Sequence, residues 1–137
     1  ISHLEREEMY ARIDGQKTWR ILSNLYGNVC KYSLPGTRVY ADLTEERGML
    51  CFCLKNISRD PLNLPAEELM ERFVQGDSSR SGGGNGLGLA IASDLARLQG
   101  GELRLAISGD LFTAELRLPG ETSRAEMDGR KEKCRIE

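Results

Sequence analysis

The chain has 137 residues, which suits one domain with a real core and is short for two. With 19 Lys and Arg against 21 Asp and Glu, the net charge is −2. That takes weight from a nucleic-acid partner, since such proteins carry a basic excess. No apolar run reaches the roughly 20 residues of a membrane helix and no secretory signal is visible, so the expectation is a soluble piece, which a larger membrane protein could still contain.

In chain order, residues 1–13 begin irregularly, and Met9, Ala11 and Ile13 then alternate with polar neighbours as a strand does. Asp14-Gly15 makes a turn, and residues 16–32 read as a helix that Pro35-Gly36 ends. Residues 37–43 (TRVYADL) and 49–54 (MLCFCL) read as two strands of a hairpin across a charged turn at 45–48. Residues 55–65 read as loop, and 64–73 as a short helix with Pro near its start and acids in its first turn. A polar, glycine-serine-rich stretch at 74–86 follows. Residues 87–99 form the next helix, with Leu87, Ile91, Leu95 and Leu98 on one face and Gly100-Gly101 closing it. A final hairpin covers 102–107 and 111–118, and the charged residues 120–137 read as an exposed tail.

The expected organisation is therefore a folded domain over 1–119 and a tail over 120–137. About three helices are too few to cover both faces of a sheet. The fold class is an α/β two-layer sandwich, with a mixed, mainly antiparallel sheet and its helices on one face. Of the four cysteines, Cys51 and Cys53 share one face of a strand and read as small buried hydrophobes of a reducing compartment. A zinc site would want a second pair and His ligands, and the only histidine is His3.

Two stretches carry chemistry. GGGNGLGL, residues 82–89, is a glycine-rich turn feeding a helix, a geometry whose free N–H groups and dipole suit phosphate. It is neither a P-loop, which needs Lys after its last Gly, nor G-x-G-x-x-G, since Leu89 stands where the third Gly would be. On the first long helix, Asn24, Asn28 and Lys31 fall within about 60° of one another. Trp19, Leu22, Leu25, Tyr26 and Val29 occupy the opposite sector and are expected to form the core face. Two stacked Asn residues on a helix need a reason, because Asn is a mediocre helix former. Amide oxygens are hard ligands suited to Mg²⁺, and a Lys one turn on can balance phosphate.

NLYGNVCKYS resembles the asparagine box of sensor histidine kinase ATP-binding domains, N-L-x-x-N-A-x-K-[YF]-S. FVQGDSSRS resembles their phenylalanine box, F-x-R-G-D-x-S-R, and GNGLGLAIASDLARLQGGEL their second glycine box with its helix and closing G-G. The three occur in the family's order and span residues 9–118. The resemblance implies the Bergerat ATP-binding fold of the wider group of histidine kinases, gyrases and Hsp90-type ATPases. It also implies ATP and Mg²⁺ as cofactors and protein-histidine kinase activity, with no catalytic base in this chain. By it, Asn28 ligates Mg²⁺ with Asn24 assisting, Lys31 meets phosphate, and Tyr32 lies against the nucleotide. Gly84, Gly86 and Gly88 let a lid close, with amides near Leu87 and Gly88 capping the phosphates. Phe73 anchors the lid and Arg80 reaches toward the γ-phosphate.

Two departures stand out. Where the family's first glycine box, D-x-G-x-G, places an Asp for the adenine amino group, this chain has Asn56 in Lys55-Asn56-Ile57-Ser58, without those glycines. An amide oxygen accepts from an amino group less strongly than a carboxylate does. Gln75 also replaces the common Arg of the phenylalanine box. His3 has no Pro nearby and is not expected to be the phospho-acceptor. The implied partners are a helical dimerisation and phosphotransfer domain of the same parent and a response regulator. The implied setting is a cytoplasmic domain of a membrane-anchored, homodimeric parent. The alternatives are another ATPase or anti-sigma-factor-like serine kinase of the same fold, or a pseudokinase that works through contacts alone.

Overall fold

The computed structural model describes residues 1–5, 7–62, 65, 68 and 88–121. Its elements in chain order are β1 (Ser2–Leu4), β2 (Tyr10–Ala11), α1 (Gly15–Tyr32), β3 (Tyr40–Glu46), β4 (Met49–Ile57), α2 (Gly88–Leu98), β5 (Glu102–Ser108) and β6 (Leu111–Glu121). The sheet runs β1-β3-β4-β6, and both β5 and β2 also pair with β6. Only β1 and β3 are parallel; every other pairing is antiparallel. This is the expected mixed two-layer sandwich, with two helices among the described residues. The third helix, expected at 64–73, and the glycine-serine stretch at 74–86 lie outside the described residues apart from Pro65 and Glu68.

Local chemistry explains the elements. Asp14 caps α1: its Oδ1 accepts from the Lys17 N–H at 3.1 Å and its Oδ2 from Lys17 Nζ at 2.5 Å. These bonds hold the Asp14 carboxyl below the ordinary carboxylate range. The β3–β4 hairpin turns on Arg47 and Gly48, both with positive φ (50° and 75°), the requirement of a tight two-residue hairpin. That turn fixes a register in which Glu46 faces Met49 and Tyr40 faces Lys55. Strand β3 therefore sits three residues later than the expected 37–43. Strand β4 likewise runs to Ile57, into the stretch expected to be loop. Helix α2 ends as expected at Gly100-Gly101. Gly100 has φ 74°, the Gly100 N–H bonds to Arg97 O and the Gly101 N–H to Ala96 O, both at 3.0 Å. Gly101 must also be small, since a Cβ there would stand 2.1 Å from the Arg117 carbonyl.

Two terminal stretches differ from expectation. Residues 2–4 form β1 against β3, where an irregular start was expected. The segment SHL has no apolar alternation to betray it, and the edge of β3 orders it through backbone bonds such as Glu5 N–H to Leu43 O at 3.1 Å. Strand β6 continues through Gly120 and Glu121, which pair with Ala11 and Tyr10; the remainder of the expected tail lies outside the described residues.

The core lies between the helices and one sheet face. Ile21 and Leu25 of α1 and Leu89, Ala92 and Ala96 of α2 meet Leu54, Leu103, Ala114, Leu116 and Leu118. Both helix faces differ in part from the expectation: Leu25 is buried and Leu22, Val29 and Leu95 pack against the core as expected, but other expected residues do not. On α1 the buried residues are Thr18, Ile21 and Leu25, while Trp19 is 73% exposed and Tyr26 is also exposed. At 100° per residue, Trp19 lies about 160° around the helix from Ile21. The bulk of the aromatics pulled the predicted face the wrong way. On α2 the inward residues are Leu89, Ala92, Ser93 and Ala96, and Leu98 faces water. Small alanines face α1 there because the two helices pack closely.

Leu54, 1% exposed at the centre of this core, is expected to be the more sensitive position. Leu54→Ala should cost about 2–5 kcal/mol. Trp19→Ala should stay within about 0.5 kcal/mol. Urea unfolding followed by circular dichroism measures both, and equal losses would contradict the assigned α1 face.

Candidate functional site

Two polar ties hold α1 antiparallel to α2. At one end Gln99 Oε1 accepts from the Asp14 N–H (2.8 Å) and Thr18 Oγ1 (3.1 Å); at the other Asn24 Nδ2 donates to Gly88 O (3.1 Å). Past that second tie, α1 continues toward the end of β4. There the backbone is stapled crosswise. The Leu34 N–H bonds to Ile57 O and the Arg59 N–H to Tyr32 O, each at 2.8 Å, and Ser33 bridges Ser58. Arg59 Nη2 also bonds to Lys31 O at 2.7 Å. The C-terminal ends of α1 and β4 are thereby fixed side by side.

Between them opens a cavity of about 210 Å³, lined by Asn28, Tyr32, Asn56, Ser58, Asp60, Leu62, Leu89 and Phe112. Asn28 is seven residues after fully buried Ile21, so it lies only about 20° from it around the helix. The asparagine row thus sits on the inward side of α1, not opposite the core as expected. The inward side of α1 is apolar at Ile21 and Leu25 and polar at Asn28, one turn past the contact of Asn24 with Gly88. Asn56 is 4% exposed, points from β4 into this layer, and stands directly across from Phe112 of β6. Among the described residues the lining has apolar walls, several neutral hydrogen-bonding groups, one carboxylate and no cation.

Of the residues named from sequence, the structure brings Asn28, Tyr32 and Asn56 together in this cavity. Asn24 lies one turn away, its amide N–H committed to Gly88, which opens α2. Lys31 is exposed on the next turn and does not line the cavity. Phe73, Arg80, Gly84, Gly86 and Leu87 lie outside the described residues, as does Gln75.

Five lining residues were not foreseen: Ser58, Asp60, Leu62, Leu89 and Phe112. Asn56, Ser58 and Asp60 alternate at a spacing of two, and that signal was available once β4 was extended past Leu54. Phe112 joins through strand register alone.

Cys51 and Cys53 stand elsewhere. Their neighbours across the sheet are Thr44 and Arg117, and Asp42 and Glu115, on the face away from the helices. Burial pushes both thiols up. Cys51 is buried and Cys53 partly so, as expected, whereas Cys30 is exposed.

The chain belongs to the histidine kinase-, DNA gyrase B- and HSP90-like ATPase family, whose model matches residues 13–128. The ligand this family implies is ATP. Within the family its similarity is to sensor histidine kinases. It is 32% identical over 124 residues to the sensor histidine kinase WalK of Bacillus subtilis (strain 168), covering 87% of this chain and 20% of that protein. It is 34% identical over 120 residues to the sensor histidine kinase RppB of Synechocystis, covering 84% of this chain and 26% of that protein. The chain therefore spans about a quarter or less of these relatives. Among solved structures it superposes on the mycobacterial sensor histidine kinase MprB with a TM-score of 0.69 and 26% identity, over 88% of this chain and 83% of that one.

The Asn24–Gly88 tie is a structural contact whatever ligand enters. Asn24→Ala is expected to lower stability by about 1 kcal/mol, the net worth of such a bond. A shift of the urea midpoint at unchanged slope measures it; no shift would mean the tie does not hold the start of α2.

Proposed function

We propose that this chain is the ATP-binding catalytic domain of a two-component sensor histidine kinase. It binds Mg-ATP and presents the γ-phosphate to a histidine on a separate helical dimerisation domain, for onward signalling to a response regulator. The observation that carries the reading is the cavity at the joined ends of α1 and β4, which gathers Asn28, Tyr32 and Asn56 from two distant stretches of sequence. An aromatic base fits such a lining: Leu62, Leu89 and Phe112 offer apolar surface for its faces, and the Asn56 amide and Ser58 hydroxyl offer partners for its polar edge.

ATP supplies the transferable phosphoryl group, and Mg²⁺ neutralises its charge. This chain's own residues bind and orient. Asn28, which lines the cavity, holds Mg²⁺, and Asn24 one turn away assists, its Oδ1 being left open when Nδ2 donates to Gly88. Among the described residues the cavity lining has no cation, and phosphate charge falls to Lys31 beyond it, and to Arg80 and the glycine turn at Gly84, Gly86, Leu87 and Gly88, with Phe73 as anchor. Such transfer is a matter of positioning and electrostatics, with the base beside the acceptor histidine.

Among the described residues no helix is long and apolar enough to cross a membrane. Membrane anchoring and homodimerisation of the parent belong to this proposal, as does the division into a domain over 1–119 and a tail over 120–137.

Calorimetric titration with a non-hydrolysable ATP analogue is expected to show binding between micromolar and millimolar that strengthens with Mg²⁺. Asn28→Ala is expected to remove the Mg²⁺ dependence while the melting temperature stays close to that of the parent. Absence of heat at millimolar ligand would reject nucleotide binding; an unchanged Mg²⁺ response in the variant would remove Asn28 from the metal. With ATP itself in place of the analogue, a matching helical acceptor domain should receive the γ-phosphate on His, with ADP released, and phosphate on Ser would move the chain to the serine kinases of this fold.

A further inference from the structure

We infer that the purine pocket of this domain is permissive, accepting guanine as well as adenine nucleotides, and that Asn56 is the residue responsible. The inference rests on the nucleotide-binding reading above and deepens it by stating which bases the site admits. Asn56 is the most deeply buried polar side chain of the lining, 4% exposed, with Phe112 directly across from it on β6 and Leu89 and Leu62 on the same lining. A flat heterocycle held against those apolar groups turns its polar edge toward this amide.

The amide is almost unrestrained. Among the described residues its side chain makes one hydrogen bond, Nδ2 to the carbonyl of Ile57, at 3.4 Å, the long end of the useful range. Ser33 Oγ is the one fully enclosed side-chain polar atom without a partner there, so Asn56 Oδ1 opens on the cavity. As drawn, the amide presents an acceptor, which suits the amino group of adenine. Turned over by 180°, it gives up the long bond to Ile57, sets Oδ1 beside that carbonyl at a distance where the repulsion is weak, and presents its NH₂, which suits the O6 of guanine. A carboxylate at this position would be acceptor-only and would repel O6, so an amide abolishes the discrimination that a carboxylate imposes. Asp60 on the same lining is acceptor-only and can take the N1–H and N2–H₂ donors that guanine offers.

Selectivity is a ratio of affinities, and a buried group left unpaired by the wrong ligand is what makes that ratio large. Here either base pairs the amide. Titration of the intact 137-residue chain with Mg²⁺ and the non-hydrolysable analogues of ATP and GTP reads the ratio directly. The two dissociation constants are expected to agree within about tenfold, because neither base leaves the amide unpaired. Asn56→Asp is expected to widen the ratio toward adenine by about a hundredfold or more, mostly through loss of the guanine nucleotide. Binding of the ATP analogue together with a GTP analogue weaker by a hundredfold in the unsubstituted chain would overturn the inference and leave the nucleotide reading standing. Failure of both analogues to bind would overturn the nucleotide reading itself. The unsubstituted chain carries the deciding measurement, so the inference is tested even where the Asp variant fails to fold.

Discussion

The packing of α1 on α2 over one face of the sheet is the contact on which the rest depends. Ile21 and Leu25 press against Leu89, Ala92 and Ala96, and both sets rest on Leu54, Ala114 and Leu116. Alanine at two of these α2 positions brings the helix axes together, and the ties at Gln99 and Gly88 set how far one helix slides along the other. Burial of this apolar surface supplies the stabilisation; the polar ties supply register. Among the described residues α2 starts at Gly88, where Asn24 meets it. The next inward turn of α1 faces a cavity, and Asn28 occupies that turn.

The walls of the site include core residues: Leu89 is fully buried yet borders the cavity, and Phe112 packs at the margin of the core while lining it. Its polar groups come from the two chain segments that the backbone staple at Ile57–Arg59 and Tyr32–Leu34 holds together. Such a staple costs little flexibility at the site, since both segments already end regular elements. A preorganised cleft of this kind binds without first paying to order its own walls.

Much of this was legible in the chain. The turn at Asp14-Gly15, the charged turn at 45–48 and the paired glycines after α2 each have a local cause, and local causes survive without tertiary context. The asparagine box pointed to Asn28 and Tyr32, and the departure at the first glycine box to Asn56, 28 positions beyond Asn28; these three line one cavity, and Asn24 lies one turn away. What misled was orientation. Trp19 and Tyr26 look like core by size, and Asn24 and Asn28 look like surface by polarity. Yet helical angle puts Asn28 beside Ile21 and Trp19 nearly opposite it. A polar residue facing inward is tolerated because the space it faces is a polar-edged cavity rather than packed hydrocarbon.

The amino-acid sequence by itself determined the class of fold, the family and the asparagines of the site, because turn chemistry and motif spacing act over a few residues. Tertiary structure alone decided which side of each helix is buried, that residues 2–4 become a strand, and that Ser58, Asp60, Leu89 and Phe112 join the asparagines. Those outcomes depend on strand register and on the distance between two helices. Register and distance are settled by contacts between residues far apart in the chain, and no short window of sequence contains both partners.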